Sequence, residues 1–415
     1  MTTVRFLNGL TTIGGNIMEI TTATSRVIMD FGMADNGSAA DPEILIAEHR
    51  LPALKSLFTN PTDHRYQHEA IFISHLHLDH TAALQYLKSD IPVYLSHDSY
   101  RLYQSLAASG LAIPLGVNLH AFEYEHHIQI GDLTVTGYAS DHDAFGATAF
   151  LISDGQHHFG HSGDVRLHGP HVERVQHWMN VFRSLHLDLF MLEATSFSFE
   201  PSDNIEFSVP ASEDDIQQSF SQLLQTDDRL QVINPYPRNL ERLLRFNQTA
   251  NAYNRPVVWE LPYARLLNSF YPEALIHVLA SNRLNKQDLA SLIPVGLPII
   301  KHEPQRFSLQ NSYANLALLT EVKPFMYLHS NGEPLGEYDP RYASLMNFIT
   351  DNDGELRHLG SSGHATRQAL VAIAKTVNAQ TTGIWHTFQP ETAEKAMQDL
   401  DTNILLPAYD ATYTF

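Results

Sequence analysis

Short apolar runs that end in a polar residue recur through the first half of the sequence. Residues 26–29 lead to Asp30, residues 70–74 lead to His75, and residues 187–192 lead to Glu193. Runs of this length, bounded by turn residues, predict buried β-strands. Because the ends of neighbouring strands meet at one edge of a sheet, we expect these polar side chains to gather there.

The pattern changes near residue 202, where long helical patterns alternate with short strands such as residues 230–233 and 256–259. This alternation predicts a separate α/β unit with parallel strands. We therefore predict a first region at 1–201, an inserted region at 202–354 and a return to the first region at 355–415. Residues 33–69 form a long polar connection with a predicted helical centre at 42–57. Connections of that length are usually functional or disordered.

The amino-acid composition limits which metal ligands and binding partners the protein can have. The 415 residues contain no Cys and 24 His, so any metal must be held by His, Asp and Glu. The net charge of −20 argues against broad, sequence-independent adhesion to nucleic acid. The start lacks a signal-peptide pattern, and no run approaches the ~18 apolar residues of a membrane span. We expect a cytoplasmic protein without a membrane partner.

A histidine cluster is the strongest chemical signal. His75, His77, Asp79 and His80 place four metal-ligand side chains in six positions directly after a predicted strand. Such a loop can direct imidazoles and a carboxylate at one point and bind one or two cations such as zinc. A metallohydrolase is therefore the first hypothesis.

The His-x-His-x-Asp-His order of this cluster resembles the signature of the metallo-β-lactamase superfamily, and Asp30, His142 and Asp164 stand where its other motifs are expected. Later residues resemble the β-CASP branch, and most of all ribonuclease J. These are Glu193 at a strand end, the Ser-Gly-His-Ala loop within 361–365, and His386 at the final strand. The resemblance implies an α/β fold, a metallo-β-lactamase αββα sandwich with an inserted parallel α/β β-CASP domain.

The same resemblance implies a dinuclear site with two Zn²⁺ ions, with Mn²⁺ as the alternative. One ion would take His75, His77 and His142, the second would take Asp79, His80 and His386, and Asp164 would bridge them. A hydroxide between the ions would be the nucleophile. Asp30 would orient an imidazole from behind. Asp79, Glu193 and His364 would take part in catalysis, with Glu193 and His364 on the leaving-group side.

Substrate contacts are predicted at two places. The loop with Ser362, Gly363 and Ala365 precedes a predicted helix and could offer backbone N–H groups to a phosphate. Arg238, Arg242 and Arg245 share one helical face, which indicates either a phosphate-tracking stripe or a solvated face with Glu241 as partner. A further set of histidines is expected to be solvated or locally satisfied: His157, His158, His161, His168, His171, His177 and His186.

Two departures from ribonuclease J keep other functions open. Residues 307–313 lack the glycines of its β-CASP loop, and the chain ends at Phe415, where an additional C-terminal domain is expected in that family. Hypothesis one is a zinc-dependent ribonuclease with RNA, or alternatively DNA, as partner. Hypothesis two is a small-molecule hydrolase of a phosphodiester, lactone or thioester, favoured by the net charge. Hypothesis three is a binding module that has lost catalytic activity. The presence of every expected metal ligand argues against it.

Overall fold

A computed structural model describes residues 1–34, 40–59, 66–199, 212–336, 339–409 and 411–415. The predicted boundary at 201–202 and parts of the 33–69 connection lie outside these residues. The described chain separates into two units. Unit 1 comprises the described parts of Met1–Tyr103, Pro114–Pro201 and Gly363–Phe415, and unit 2 those of Gln104–Ile113 and Ser202–Ser362.

The strands of the described residues are, in chain order, β1 (Thr3–Asn8), β2 (Ile17–Thr21), β3 (Ser25–Met29), β4 (His68–Phe72), β5 (Val93–Ser96), β6 (Leu119–Phe122), β7 (His127–Ile130), β8 (Leu133–Ala139), β9 (Thr148–Ser153), β10 (His158–His161), β11 (Leu189–Glu193), β12 (Leu230–Pro235), β13 (Val257–Trp259), β14 (His277–Leu279), β15 (Ile293–Val295), β16 (Ser308–Gln310), β17 (Phe325–Ser330), β18 (Gly354–His358), β19 (Thr381–Trp385), β20 (Asn403–Leu405) and β21 (Tyr413–Thr414).

The α-helices are α1 (Pro42–Ala47), α2 (Lys55–Phe58), α3 (Leu78–Thr81), α4 (His97–Ser109), α5 (Val172–Leu185), α6 (Glu213–Thr226), α7 (Leu240–Ala252), α8 (Leu261–Phe270), α9 (Lys286–Ser291), α10 (Leu297–His302), α11 (Arg341–Asp351), α12 (Arg367–Val377) and α13 (Pro390–Met397). Short 3₁₀ segments occupy Ala82–Tyr86, Thr195–Phe197, Pro304–Arg306 and Tyr313–Glu321. None of the helices in the described part of the chain is long and apolar enough to span a bilayer.

Unit 1 is built on two seven-stranded sheets, ordered β21-β1-β2-β3-β4-β5-β6 and β20-β19-β11-β10-β9-β8-β7. Apolar side chains from both sheets form one core, in which the rings of Phe72 on β4 and Phe150 on β9 meet edge to face at 5.8 Å. The other face of the second sheet buries residues of α5, α12 and α13, among them Trp178, Leu370 and Met397. The sandwich therefore has sheets packed face to face, with helices outside.

Unit 2 contains a parallel sheet ordered β15-β14-β13-β16-β12-β17-β18. Its central strands β12, β16 and β17 are fully buried, as expected when helices cover both faces of a parallel sheet. The mixed α/β fold class and the additional parallel α/β unit predicted from the sequence are confirmed in this architecture.

Two details of the sequence interpretation are wrong. The return segment was expected from residue 355, but β18 pairs in parallel with β17, with Leu356 opposite Tyr327, so residues 355–362 belong to unit 2. The charged residues Glu355 and Arg357 interrupt the apolar pattern of this edge strand, so the sequence did not indicate that it belongs to the sheet. The helical centre predicted at 42–57 is two short helices, α1 and α2, separated by a segment that contains Pro52, which cannot donate a helical hydrogen bond.

Candidate metal centre

The histidine cluster follows β4 and leads into α3, and the end of β3 fixes it in place. The backbone N–H of Phe31 donates to the carbonyl of His80 at 2.8 Å, and the N–H of Asp30 donates to the carbonyl of Phe72 at 2.8 Å. A Cβ on Gly32 would lie 1.5 Å from the carbonyl oxygen of Asp79. Glycine at this position therefore allows the two backbone segments to approach closely enough to hold the cluster.

The structure brings the predicted ligands together in two groups. His75, His77, His142 and Asp164 present ligand atoms that all lie within 4.8 Å of one another. The second group is Asp79, His80, Asp164 and His386, under the same limit. Both groups contain Asp164, which follows β10 and is 1% exposed. The first metal position is hereafter the one formed by the first group, and the second metal position the one formed by the second.

Hydrogen bonds orient four of the five imidazoles by one ring nitrogen. The Nδ1 atoms of His75, His80, His142 and His386 lie 3.0 Å from Ser74 Oγ, 2.8 Å from Asp30 Oδ2, 2.5 Å from the Gly363 carbonyl and 3.1 Å from Thr195 Oγ1, respectively. In each of these rings Nε2 lies on the opposite side, 3.3–3.7 Å from a carboxylate oxygen of Asp164. Partners of this kind fix the tautomer and orientation of metal-binding histidines.

Unsatisfied atoms inside the cluster test whether cations fit there. His75 Nε2 and both carboxylate oxygens of Asp164 are buried with no hydrogen-bond partner among the described residues. Buried polar atoms without partners are rare, and a buried carboxylate is costly unless it is paired or binds a metal. Imidazole nitrogens and carboxylate oxygens suit zinc, and the oxygens also suit manganese. The donor set therefore fits two divalent cations.

The protonation states agree with ligand roles at the first position. Burial, followed by the neighbouring histidines, holds the pKa of His75 well below its usual value. Burial also lowers the pKa of His77 to about 3 and lowers the pKa of His142. Neutral imidazoles are the form that binds metal. Burial opposes ionisation of Asp164, yet His80, His386 and His364 together hold its pKa well below the usual range.

His364 and Glu193 form a pair beside these ligands. His364 Nδ1 lies 3.1 Å from Glu193 Oε1, and the second carboxylate oxygen of Glu193 accepts the N–H of Thr195 at 2.9 Å. Burial opposes protonation of His364, but Glu193 and then Asp164 outweigh it and raise its pKa to about 10. The ring centroid of His364 lies 5.1 Å from that of His142. Glu193 thus holds an imidazole, and stabilises its protonated form, next to the first metal position.

The loop predicted to bind phosphate is used largely for internal contacts. The Gly363 carbonyl accepts from His142, and the Ala365 N–H donates to the Val165 carbonyl at 2.6 Å. The carbonyl of Ala365 accepts a hydrogen bond from Ser196 Oγ. The prediction of a phosphate contact is therefore wrong for the N–H of Ala365, because that donor is occupied. Ser362 is exposed.

The predicted arginine stripe is also wrong for Arg242. Its side chain is 1% exposed and makes two hydrogen bonds to Glu213, of 3.0 Å from Nε to Oε2 and 2.7 Å from Nη2 to Oε1. Arg245 Nη1 pairs with Asp214 Oδ1 at 2.6 Å. Both acids belong to α6, so the two arginines tie α7 to α6 rather than to Glu241 or a substrate. Arg238 is buried without such a pair in the described residues.

Sequence reasoning missed several residues around the ligands. Asn16 Nδ2 lies 2.9 Å from His80 Nε2, and Asp143 Oδ1 lies 3.5 Å from His77 Nε2 and 3.3 Å from His142 Nε2. Thr195 supports His386 as described above. Small polar residues carry no recognisable pattern of their own, and only the position of Asp143 directly after His142 could have identified it.

Two further partners lie behind the site. Asp141, next to His142, accepts from Arg166 Nε at 2.9 Å and from the N–H of His171 at 2.7 Å. This buried pair ties the loop of His142 to the loop of Asp164. His161, expected on the surface or locally satisfied, is 0% exposed, and its Nε2 lies 3.6 Å from Asp30 Oδ2. Its strand pattern, with Phe159 and Gly160 before it, was the available signal for burial.

Comparisons with known proteins give a family match and similar solved structures. The family model described as "Beta-lactamase superfamily domain" matches residues 46–210, which include the histidine cluster, His142 and Asp164. A crystal structure of a protein of unknown function from Enterococcus faecalis V583 has a TM-score of 0.86 and 27% identity, covering 99% of each chain. The metallo-beta-lactamase fold protein YhfI from Bacillus subtilis has a TM-score of 0.42 and 10% identity, covering 99% of this chain and 98% of that one.

No curated protein is significantly similar in sequence. Over residues 46–210 the chain is similar to the beta-lactamase superfamily domain, and the parallel sheet of unit 2 lies outside this match. Superfamily domains of this kind are generally metal-dependent hydrolases, and the two ligand groups form a candidate dinuclear metal site in this one.

Proposed function

We propose that this protein is a metal-dependent ribonuclease that hydrolyses RNA phosphodiester bonds, with unit 2 acting as a β-CASP domain. The observation that carries the proposal is the sharing of Asp164 by two four-residue ligand groups. A site that can hold two cations side by side suits phosphodiester hydrolysis, in which attacking and leaving oxygens both need stabilisation. The order of the ligand motifs along the chain, which resembles ribonuclease J, supports RNA as the substrate class.

The protein's own residues would have distinct tasks in this reaction. When bound, two divalent cations supply Lewis-acid catalysis and make water a stronger nucleophile near neutral pH. His75, His77 and His142 would hold the first, Asp79, His80 and His386 the second, and Asp164 both. His364, whose pKa Glu193 raises, would contact a phosphate oxygen or donate a proton to the leaving oxygen. Glu193 would keep that imidazole oriented.

The test is degradation of single-stranded RNA by purified enzyme loaded with zinc or, separately, manganese. We expect metal-dependent cleavage that is abolished in His77→Ala and weakened in His364→Ala. His177→Ala is the matched control, because this side chain is 53% exposed and its Nε2 pairs with Glu125 rather than with a ligand. Metal-loaded protein that leaves RNA and DNA of every length intact would contradict the proposal.

A small-molecule hydrolase is the second candidate. It is favoured by the net charge of −20 and by the extra carboxylate of Asp143 beside the first metal position. Negative charge there disfavours a polyanionic substrate. Turnover of lactone, thioester or small phosphodiester substrates, combined with no polynucleotide binding at low salt, would select this function over the first.

A further inference from the structure

Arg238 differs from Arg242 and Arg245 because no carboxylate among the described residues pairs with it. The residue is 8% exposed. Within the described chain, its Nε has no hydrogen-bond partner and its guanidinium has no ion pair. Its guanidinium lies over the ring of Tyr236, whose centroid is 5.4 Å from Cζ. A buried charge without a counter-charge is strongly unfavourable, so this position calls for an anion.

The position in the fold is one where α/β proteins bind ligands. Arg238 follows the carboxyl end of β12, the strand flanked by β16 and β17 in the parallel sheet of unit 2. From β12 the chain continues to β13 on one side, whereas from β17 it continues to β18 on the other. Ligands of open α/β sheets bind at the carboxyl edge, where successive connections leave in opposite directions.

Two other unsatisfied atoms at this edge can donate hydrogen bonds, those of Gln310 and Ser330. Gln310 pairs with Ile233 and Ser330 pairs with Pro235, so both side chains stand on the same face of the sheet, at the ends of their strands. Gln310 Nε2 and Ser330 Oγ are buried without hydrogen-bond partners among the described residues. The amide oxygen of Gln310 accepts the Glu260 N–H at 3.1 Å, which fixes Nε2 as the atom left to donate.

Nearby carboxylates are engaged elsewhere. Glu260 accepts both the N–H and the hydroxyl of Ser312, each at 2.8 Å. Glu333 pairs with Arg341 Nη2 at 3.2 Å. The helix α7 begins at Leu240, two positions after Arg238, and its positive N-terminal end adds to the attraction for an anion. A cation, donor groups and a helix N-terminus together match an oxyanion.

We propose that Arg238 binds a phosphate group at the carboxyl edge of the unit 2 sheet. The guanidinium would donate to two phosphate oxygens, the geometry for which arginine is suited. The phosphate could belong to a free anion or to a polynucleotide backbone, and the chemistry of recognition is the same for both. This inference does not rest on the proposed ribonuclease activity, because it concerns binding by unit 2 alone.

The experiment measures binding of inorganic phosphate by calorimetry and by thermal shift in the full-length protein. Arg238→Met should raise the Kd for phosphate at least about tenfold, which corresponds to the loss of one charge-assisted contact. With a chelator present to keep the metal centre empty, the wild-type protein should still bind phosphate, which separates this site from the metal centre. In phosphate-free buffer Arg238→Met should melt at or above the wild-type temperature, because an unpaired buried charge has been removed.

Arg242→Met is the matched control. It is also buried but is paired with Glu213, so its replacement should lower the melting temperature and leave the phosphate-induced shift in place. If Arg238→Met is too unstable to purify, Arg238→Lys keeps the charge, loses the planar fork and should still weaken binding.

A second arm measures binding of a single-stranded oligoribonucleotide in the His77→Ala background. If Arg238→Met weakens the binding of both RNA and inorganic phosphate, the phosphate comes from a polynucleotide backbone. If it weakens the binding of inorganic phosphate alone, the ligand is a free anion. Equal affinity of wild type and Arg238→Met for both probes would overturn the inference.

Discussion

The two candidate metal positions differ in the groups that form them. The first position draws three imidazoles, His75, His77 and His142, and one shared carboxylate. The second position has two imidazoles and two carboxylates, Asp79 and the shared Asp164. Nitrogen-rich sites favour zinc, and added oxygen ligands make a site more suitable for harder cations such as manganese. The same protein can therefore prefer different metals at two adjacent positions.

The positions also differ in how much of the chain they need. Ligands of the first lie within residues 75–164, whereas the second requires His386, 306 positions after His80. His386 is positioned by the end of β19, which pairs in parallel with β11. All ligands of the first position thus come from one continuous segment of the chain. The second position also needs a ligand from the segment that returns to unit 1 after unit 2.

Asp164→Ala should have the largest effect, because it removes the one ligand common to both positions. We expect loss of most bound metal and a fall in hydrolysis of about 10⁴-fold or more, since two-metal chemistry is lost as a whole. Elemental analysis and single-turnover kinetics measure the two effects. Asp90→Ala, an exposed carboxylate, is the control. Retention of two equivalents of metal in Asp164→Ala would show that the positions do not share this ligand.

His75→Ala and His386→Ala should each remove one metal and so separate the positions. We expect about one equivalent of metal in each variant and a loss of activity of about 10²–10³-fold, smaller than for the shared carboxylate. With manganese supplied alone, His75→Ala should retain its ion better than His386→Ala, because the carboxylate-rich position is then intact. Identical manganese content in both variants would remove the distinction drawn between the two positions.

Asp30→Asn should weaken the second position more than the first, because Asp30 contacts His80 directly and His75 only through Ser74. Asp30 Oδ2 lies 2.8 Å from His80 Nδ1, and loss of such an orienting carboxylate typically costs about 10–100-fold in metal affinity. Competition with a chelator measures the affinities of both positions. Asp132→Asn is the matched control, because that carboxylate accepts hydrogen bonds from Thr22 and Thr24 at the surface. Equal weakening of both metals would mean that Asp30 supports the whole cluster rather than His80.

His364→Gln should have the smallest effect on metal binding and still reduce catalysis. We expect two equivalents of metal to remain and kcat to fall by about 10²-fold, the usual contribution of one acid or base group. Measuring both metal content and kcat distinguishes an acid–base role of His364 from a role as a metal ligand. A variant that loses metal in proportion to activity would instead make His364 part of the first position.

The predicted ligands illustrate how far sequence reasoning can go. Asp79, His142, Asp164 and His386 were predicted as ligands from the resemblance of the motif order to the metallo-β-lactamase superfamily, and the structure brings them together. By contrast, Arg242 has the spacing of a substrate-binding stripe, yet it pairs with Glu213 inside unit 2. Helical spacing predicts the face of the helix on which a side chain lies. It does not predict the residue that the side chain contacts, because that residue comes from another helix.

The sequence by itself determined which ligand groups are available. These are imidazoles and carboxylates without thiols, at the ends of apolar strands, in an order typical of metallo-β-lactamase folds. Tertiary structure alone decided that Asp30 orients the His80 ring through Nδ1, that the buried His161 lies behind Asp30, and that β18 completes the sheet of unit 2. Residue type fixes what a side chain can bind. Contacts between residues hundreds of positions apart fix its orientation, its protonation and its partner.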